Sequence, residues 1–113
     1  MSRSSTIPSP WLERFAGLIP EGGTTLDLAC GRGRHTRYLV GLGYRLVAVD
    51  VDVTGVEDLR GDVRVEIIEA DLEADGWPFA ERRFDGIVVT NYLHRPLLPR
   101  LADALAPEGV LIY

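Results

Sequence analysis

The sequence predicts an α/β domain built on a mostly parallel sheet. Short β-rich runs alternate with helical patterns along the chain, the order expected of strand–helix–strand units. The run FDGIVVT, residues 84–90, is apolar enough for a strand covered on both faces. The stretch LDLACGRGRHT, residues 26–36, is an apolar run that stops at Gly31 and Gly33 and passes directly into a helical pattern.

Taken in order, Ser9-Pro10 is a helix start with proline at the first helical position, and Trp11, Phe15 and Leu18 follow at helical spacing up to Pro20. Glu21-Gly22-Gly23 is a turn. Strand one is expected at residues 24–29, then a helix at about 34–42 with Thr36, Leu39 and Val40 on one face and Gly43 as its cap. Strand two is expected at 45–51. The helix near 53–59 is weak because Gly55 lies inside it. Strand three is expected at 63–70, with Val63, Val65 and Ile67 alternating, and strand four at 84–90. Leu98, Leu101, Ala102 and Leu105 make a helical stripe. Pro107-Glu108-Gly109 then turns the chain into strand five at 110–113.

The 113 residues have the size of one domain, with residues 1–23 as an N-terminal helix and turn. A hydrophobic share of 46% fits a globular chain. No apolar run approaches the roughly 20 residues of a membrane span, and the N-terminus lacks a secretory core, so a cytoplasmic location is expected. The net charge is -5, all twelve basic residues are Arg, and no basic stripe is present, so no nucleic-acid partner is expected. The single cysteine, Cys30, permits no intrachain disulfide, and the two histidines, His35 and His94, form no metal cluster in sequence.

Ligands of such sheets bind beyond the carboxyl ends of the strands, where the strand order reverses. That puts the loop after Ala29 at the candidate site. Gly31 and Gly33 let a ligand approach bare backbone, and the following helix start suits an anion; a tight turn without a ligand is the alternative. A dinucleotide fingerprint would need a third glycine where Thr36 stands, and nothing reads as Gly-Lys-Ser/Thr. Asp27, just before the loop, favours a ligand with positive charge there, or serves as a structural acid that shapes the loop. Asp50 ends strand two about 20 residues on, where an acid accepts ribose hydroxyls. It could instead cap the weak helix, although Asp52 is the more natural cap. Asp71 after strand three could accept an adenine amino group or be a solvated loop acid. Asn91 could line the pocket or shape the turn before Pro96. An anion site, a cation site, a diol site and an amino-purine site together describe S-adenosylmethionine.

On these residues the chain resembles the class I S-adenosylmethionine-dependent methyltransferases, with a flavour of the small bacterial branch similar to tellurite-resistance-type methyltransferases. LDLACGRGRHT resembles their motif I, VAVDVD (47–52) the acidic end of strand two, and EADLEADGWPF the adenine-contacting segment. FDGIVVTNYLHR and LADALAPEGVLIY resemble the strand-four and strand-five segments. The resemblance implies a Rossmann-like three-layer fold with strand order 3-2-1-4-5, and S-adenosylmethionine as cofactor. It implies that Asp27 and the Gly31 backbone hold the methionine end, that Gly33 lets the cofactor lie against the loop, that Asp50 binds ribose and that Asp71 with Leu72 binds adenine. Asn91 would sit beside the methionine moiety, and Ala29, Cys30 and Val51 complete the expected cofactor-binding set.

The chain departs from the family pattern in two places. His35 stands at the third glycine of motif I, where it either faces substrate or sits on the first helical turn. The helix and antiparallel strand pair that follow strand five in the family are missing, so the strand-five edge invites self-association. No residue is a convincing general base; Tyr92 and His94 after strand four read more naturally as loop or packing residues. The expected acceptor is a small molecule. Two other readings remain open: a cofactor-binding or assembly module that transfers nothing, and a nicotinamide-dependent oxidoreductase.

Overall fold

The computed structural model describes residues 8–89 and 95–113. Five strands form one sheet: β1 Thr24–Leu28, β2 Arg45–Asp50, β3 Val65–Glu69, β4 Phe84–Val89 and β5 Leu105–Ile112. Their order is β3-β2-β1-β4-β5, with every neighbouring pair parallel. The predicted fold class and strand order are therefore those observed. The order reverses at β1, which pairs with β2 on one side and β4 on the other.

Among the described residues three helices cover the sheet: α1 Pro10–Phe15, α2 Arg34–Gly41 and α3 Leu98–Asp103, with 3-10 segments at Ala16–Leu18, Thr54–Leu59 and Arg95–Leu97. Period-2 alternation in β1 and β2 splits the core into two layers. Leu26, Leu28, Val47 and Val49 pack with Leu97, Leu101 and Ala104 on the α3 side. Leu46 packs on the opposite face with Leu12 and Ile19 and with Leu39, Val40 and Tyr44 of α2 and its exit turn. Burying a leucine or valine side chain contributes about 1.5–3 kcal/mol, so these two layers dominate stability. The Tyr44 hydroxyl donates toward the carbonyls of Ala16 and Ile19, at 3.1 and 2.9 Å, which ties the N-terminal helix to the exit of α2.

Several predicted boundaries differ from the structure. Leu105 belongs to β5 rather than to the last helix, which ends at Asp103. The expected turn Pro107-Glu108-Gly109 is instead an irregularity inside β5. Phe84 pairs with Leu105 and Gly86 with Val110, so the extra residues of β5 loop out, with Glu108 at φ 65°. The expected second helix is a 3-10 segment. Strand three starts at Val65, leaving Val63 91% exposed. β1 ends at Leu28 because Ala29 turns into the left-handed region at φ 57°. No helix among the described residues is long and apolar enough to cross a membrane.

Candidate functional site at the carboxyl ends of the parallel strands

The loop between β1 and α2 is a chain of unusual backbone conformations. Ala29, Gly31 and Gly33 have φ of 57°, 56° and 82°. The left-handed region favours glycine, which explains the two glycines, whereas Ala29 holds it at a steric cost. The amide of Cys30 donates to the Val49 carbonyl at 2.9 Å, and that of Gly33 donates to Cys30 O at 2.8 Å. Gly31 is exposed, and a Cβ built on it would meet nothing within 4 Å. The loop tip is thus open backbone.

Asp50 ends β2 beside this loop. Its Oδ2 accepts the Gly31 amide at 2.8 Å, and its Oδ1 accepts the Asp52 amide at 3.2 Å. Asp52 in turn accepts the Thr54 amide at 3.0 Å and the Thr54 hydroxyl at 2.8 Å. Asp52 thus bonds the first residue of the 3-10 segment, although the capping position itself is Val53 and has no side-chain cap, while Asp50 bonds the loop.

Asp27 is 1% exposed, and Thr36 Oγ1 donates to its Oδ2 at 2.6 Å. Burial raises its pKa to about 7, partly offset by the Thr36 hydrogen bonds. Burial thus disfavours the charged form of Asp27, and its side-chain donor among the described residues is Thr36, the residue that stands where a dinucleotide fingerprint has a glycine. Cys30 packs with Ala48, Val53 and Val56, and burial pushes its thiol up to about 12. A buried thiol with a raised pKa among apolar side chains is a packing residue rather than a nucleophile.

Ala29, Val49, Asp50, Val51, Ala70, Asp71, Leu72 and Glu73 line a cleft of about 350 Å³ over the ends of β1, β2 and β3. Asp71 Oδ1 accepts the amides of Glu73 and Ala74 at 2.9 and 3.1 Å, so it also shapes the turn that closes the cleft. Of the expected cofactor residues, the structure brings Ala29, Asp50, Val51, Asp71 and Leu72 to one cleft and sets Gly31 against Asp50. Asp27, Cys30 and Gly33 are buried and do not line the cleft. Asn91, with Tyr92 and His94, lies outside the described residues.

Two contacts were not anticipated from sequence, although the first turn of α2 was one of the two places expected for His35. Gly55, read as a helix weakener, is a close-approach residue: a Cβ there would lie 2.6 Å from the Gly31 carbonyl oxygen and 2.8 Å from Arg32 Cα. His35 is 4% exposed on the first turn of α2, and its Nε2 accepts the Ser9 amide at 3.1 Å. Burial lowers its pKa to about 4, so the ring is neutral and available as an acceptor at physiological pH. Helical periodicity marks the buried face of α2, but a partner 26 residues away leaves no local signal.

A parallel sheet whose order reverses at β1, with a glycine loop and a strand-two acid at the reversal, defines a ligand-binding α/β domain of the nucleotide-handling type. A family model described as a methyltransferase domain matches residues 25–109, and the chain belongs to that family. A search of curated proteins returned no match. Solved structures similar to the chain include coclaurine N-methyltransferase with N-methylheliamine and S-adenosylhomocysteine (26% identity, TM-score 0.66, 89% of this chain and 32% of that one). Another is the 1,6-didemethyltoxoflavin-N1-methyltransferase of Burkholderia thailandensis with S-adenosylhomocysteine (24%, 0.71, 94% and 49%). A third is a TehB-like SAM-dependent methyltransferase from Corynebacterium glutamicum (24%, 0.71, 89% and 60%). The chain thus spans between about a third and three fifths of the length of these structures.

Proposed function

We propose that the chain binds S-adenosylmethionine and serves methyl transfer to a small-molecule acceptor. The observation that supports this best is the Asp50 carboxylate, which ties down the Gly31 amide and at the same time lines the cleft with Asp71 and Leu72. A carboxylate has lone pairs beyond those taken by two amides, so Asp50 can still accept ribose hydroxyls. The residues fit the cofactor in other respects as well. The open backbone at Gly31 gives the amino-acid end a surface without a side chain in the way. Leu72 gives an adenine ring an apolar contact, beside the Asp71 carboxylate.

The cofactor supplies an activated methyl group on a sulfonium centre. The protein's task is to bind, orient and exclude water. In this reading Asp50 fixes the ribose and the loop together, so the reactive end is aimed relative to the sheet. Asp27 places negative potential just before the loop, which favours a cationic ligand once its proton has left. In the same reading Ala29, Cys30, Gly33 and Val51 shape the cradle, and Asn91, outside the described residues, is assigned to the methionine moiety by the family resemblance alone. The reading includes a cytoplasmic location and no nucleic-acid partner, in keeping with the net charge of -5.

Calorimetric titration with S-adenosylmethionine and, separately, with NAD tests the cofactor, and a panel of amine, hydroxyl and thiol acceptors tests transfer. Binding of the first compound with methyl transfer to one acceptor class is expected. Binding of NAD alone would overturn the reading.

A further inference from the structure

We infer that Arg37 and Asp58 are positioning residues, which fasten the 3-10 segment Thr54–Leu59 against the glycine loop and so preform the cofactor cradle. The inference rests on the proposed cofactor site and adds residues that no strand-end acid or motif glycine accounts for. Arg37 sits on α2 at the second turn. Its Nη1 reaches Asp58 Oδ2 at 2.6 Å, and its Nη2 reaches Asp58 Oδ1 at 2.9 Å. The same Nη2 is 2.9 Å from the Gly55 carbonyl oxygen and 3.4 Å from that of Arg32. One planar guanidinium thus spans the helix, the glycine loop and the 3-10 segment. A bidentate fork fixes direction as well as distance, which a lysine ammonium cannot do.

The packing beneath the fork gives it a function. Gly55 meets the Gly31 carbonyl and Arg32 backbone so closely that a methyl group would collide, and Val56 Cγ1 lies 2.5 Å from where a Gly33 Cβ would stand. The segment is therefore a backstop for both loop glycines. On the other side, Asp50 holds the Gly31 amide. Gly31 is thus gripped through its N–H by β2 and pressed at its carbonyl by the backstop. Ala29 holds the left-handed region at a steric cost, and the two glycines leave the backbone free to take many conformations, so the loop would spread over several of them if either hold were lost. Arg37 and Asp58 side chains are 40% and 64% exposed, so the pair adds little to global stability. Its effect falls on loop order, and hence on ligand affinity.

The test is calorimetric titration of the full chain with S-adenosylhomocysteine for wild type, Arg37→Ala, Asp58→Ala, the double variant and Arg37→Lys, each with a thermal melt. Expected for each single alanine variant is a loss of affinity of roughly two- to fivefold with a nearly unchanged melt, as for an exposed fork. The double variant should match Arg37→Ala, because Asp58 acts only through the guanidinium that this variant removes. Arg37→Lys should not restore affinity. Gly55→Ala, which moves the backstop directly, should weaken binding more than any of these. Lowered melting temperatures with unchanged affinity, or independent additive losses, would show a merely structural pair and overturn the inference. Wild type that fails to bind would remove the cofactor reading itself, and the inference with it.

Discussion

The Gly31 amide and the Asp50 carboxylate, 19 residues apart, meet at 2.8 Å across the tips of β1 and β2. The contact joins the two elements that nucleotide-handling α/β domains use for the ligand's acidic end and its ribose. Under the proposed function Asp50 is then both a ligand contact and part of the scaffold that holds the loop.

Asp50→Ala should therefore weaken S-adenosylmethionine binding by at least about tenfold, the loss of a charged acceptor facing a diol plus some loop order. Asp50→Asn keeps an acceptor oxygen for Gly31 and should fall between. Calorimetry checks the affinities, and circular dichroism checks that the chain stays folded. Equal affinity for wild type and the alanine variant would take Asp50 out of the site.

The pH dependence of stability should be flat where two buried groups oppose each other. Asp27 titrates near 7 in the fold against 3.8 ordinarily, so its contribution is complete below 3.8 and is lost as pH rises through about 7. His35 titrates near 4 against 6.5, so its contribution is complete above 6.5 and is lost as pH falls through about 4. Between roughly pH 4 and 6.5 the slopes have opposite sign. Asp27→Asn should unmask a stability that rises with pH across this window, and His35→Gln one that falls. Urea midpoints at several pH values measure both; a variant pair with identical profiles would refute the assignment.

Gly33→Ala should cost about 2 kcal/mol or more, because φ is 82° and the new Cβ would lie 2.5 Å from Val56 Cγ1. The same melt on Gly61→Ala, where nothing lies within 4 Å, should change little by comparison.

Thr25→Val should be neutral or stabilising by up to about 1 kcal/mol. Thr25 is fully buried, and among the described residues its hydroxyl has no hydrogen-bond partner, so removing a desolvated donor costs nothing. A clear loss in a denaturant titration would reveal a partner for that oxygen.

The parts legible in the sequence are those written in local pattern. Short apolar runs gave β1, β2 and β4, Ser9-Pro10 gave the start of α1, and two glycines after an apolar strand gave the loop. Asp50 was readable because a strand end and a spacing from that loop locate it. β5 was not readable from its start, because Leu105 continues the helical spacing of Leu98 and Leu101 and Pro107-Glu108-Gly109 has turn chemistry; parallel pairing to β4 overrides both. Gly55 and Arg37 were opaque for a different reason. Their meaning lies in contacts to residues about 18 to 24 positions away in sequence, and a lone glycine or arginine carries no sign of such a partner.

The most direct test is a crystal structure of the chain with S-adenosylhomocysteine. The account predicts the ribose on Asp50, the adenine between Asp71 and Leu72, and the amino-acid end over the Gly31 backbone. A ligand bound elsewhere, or an empty cleft over β1, β2 and β3 at saturating concentration, would contradict it.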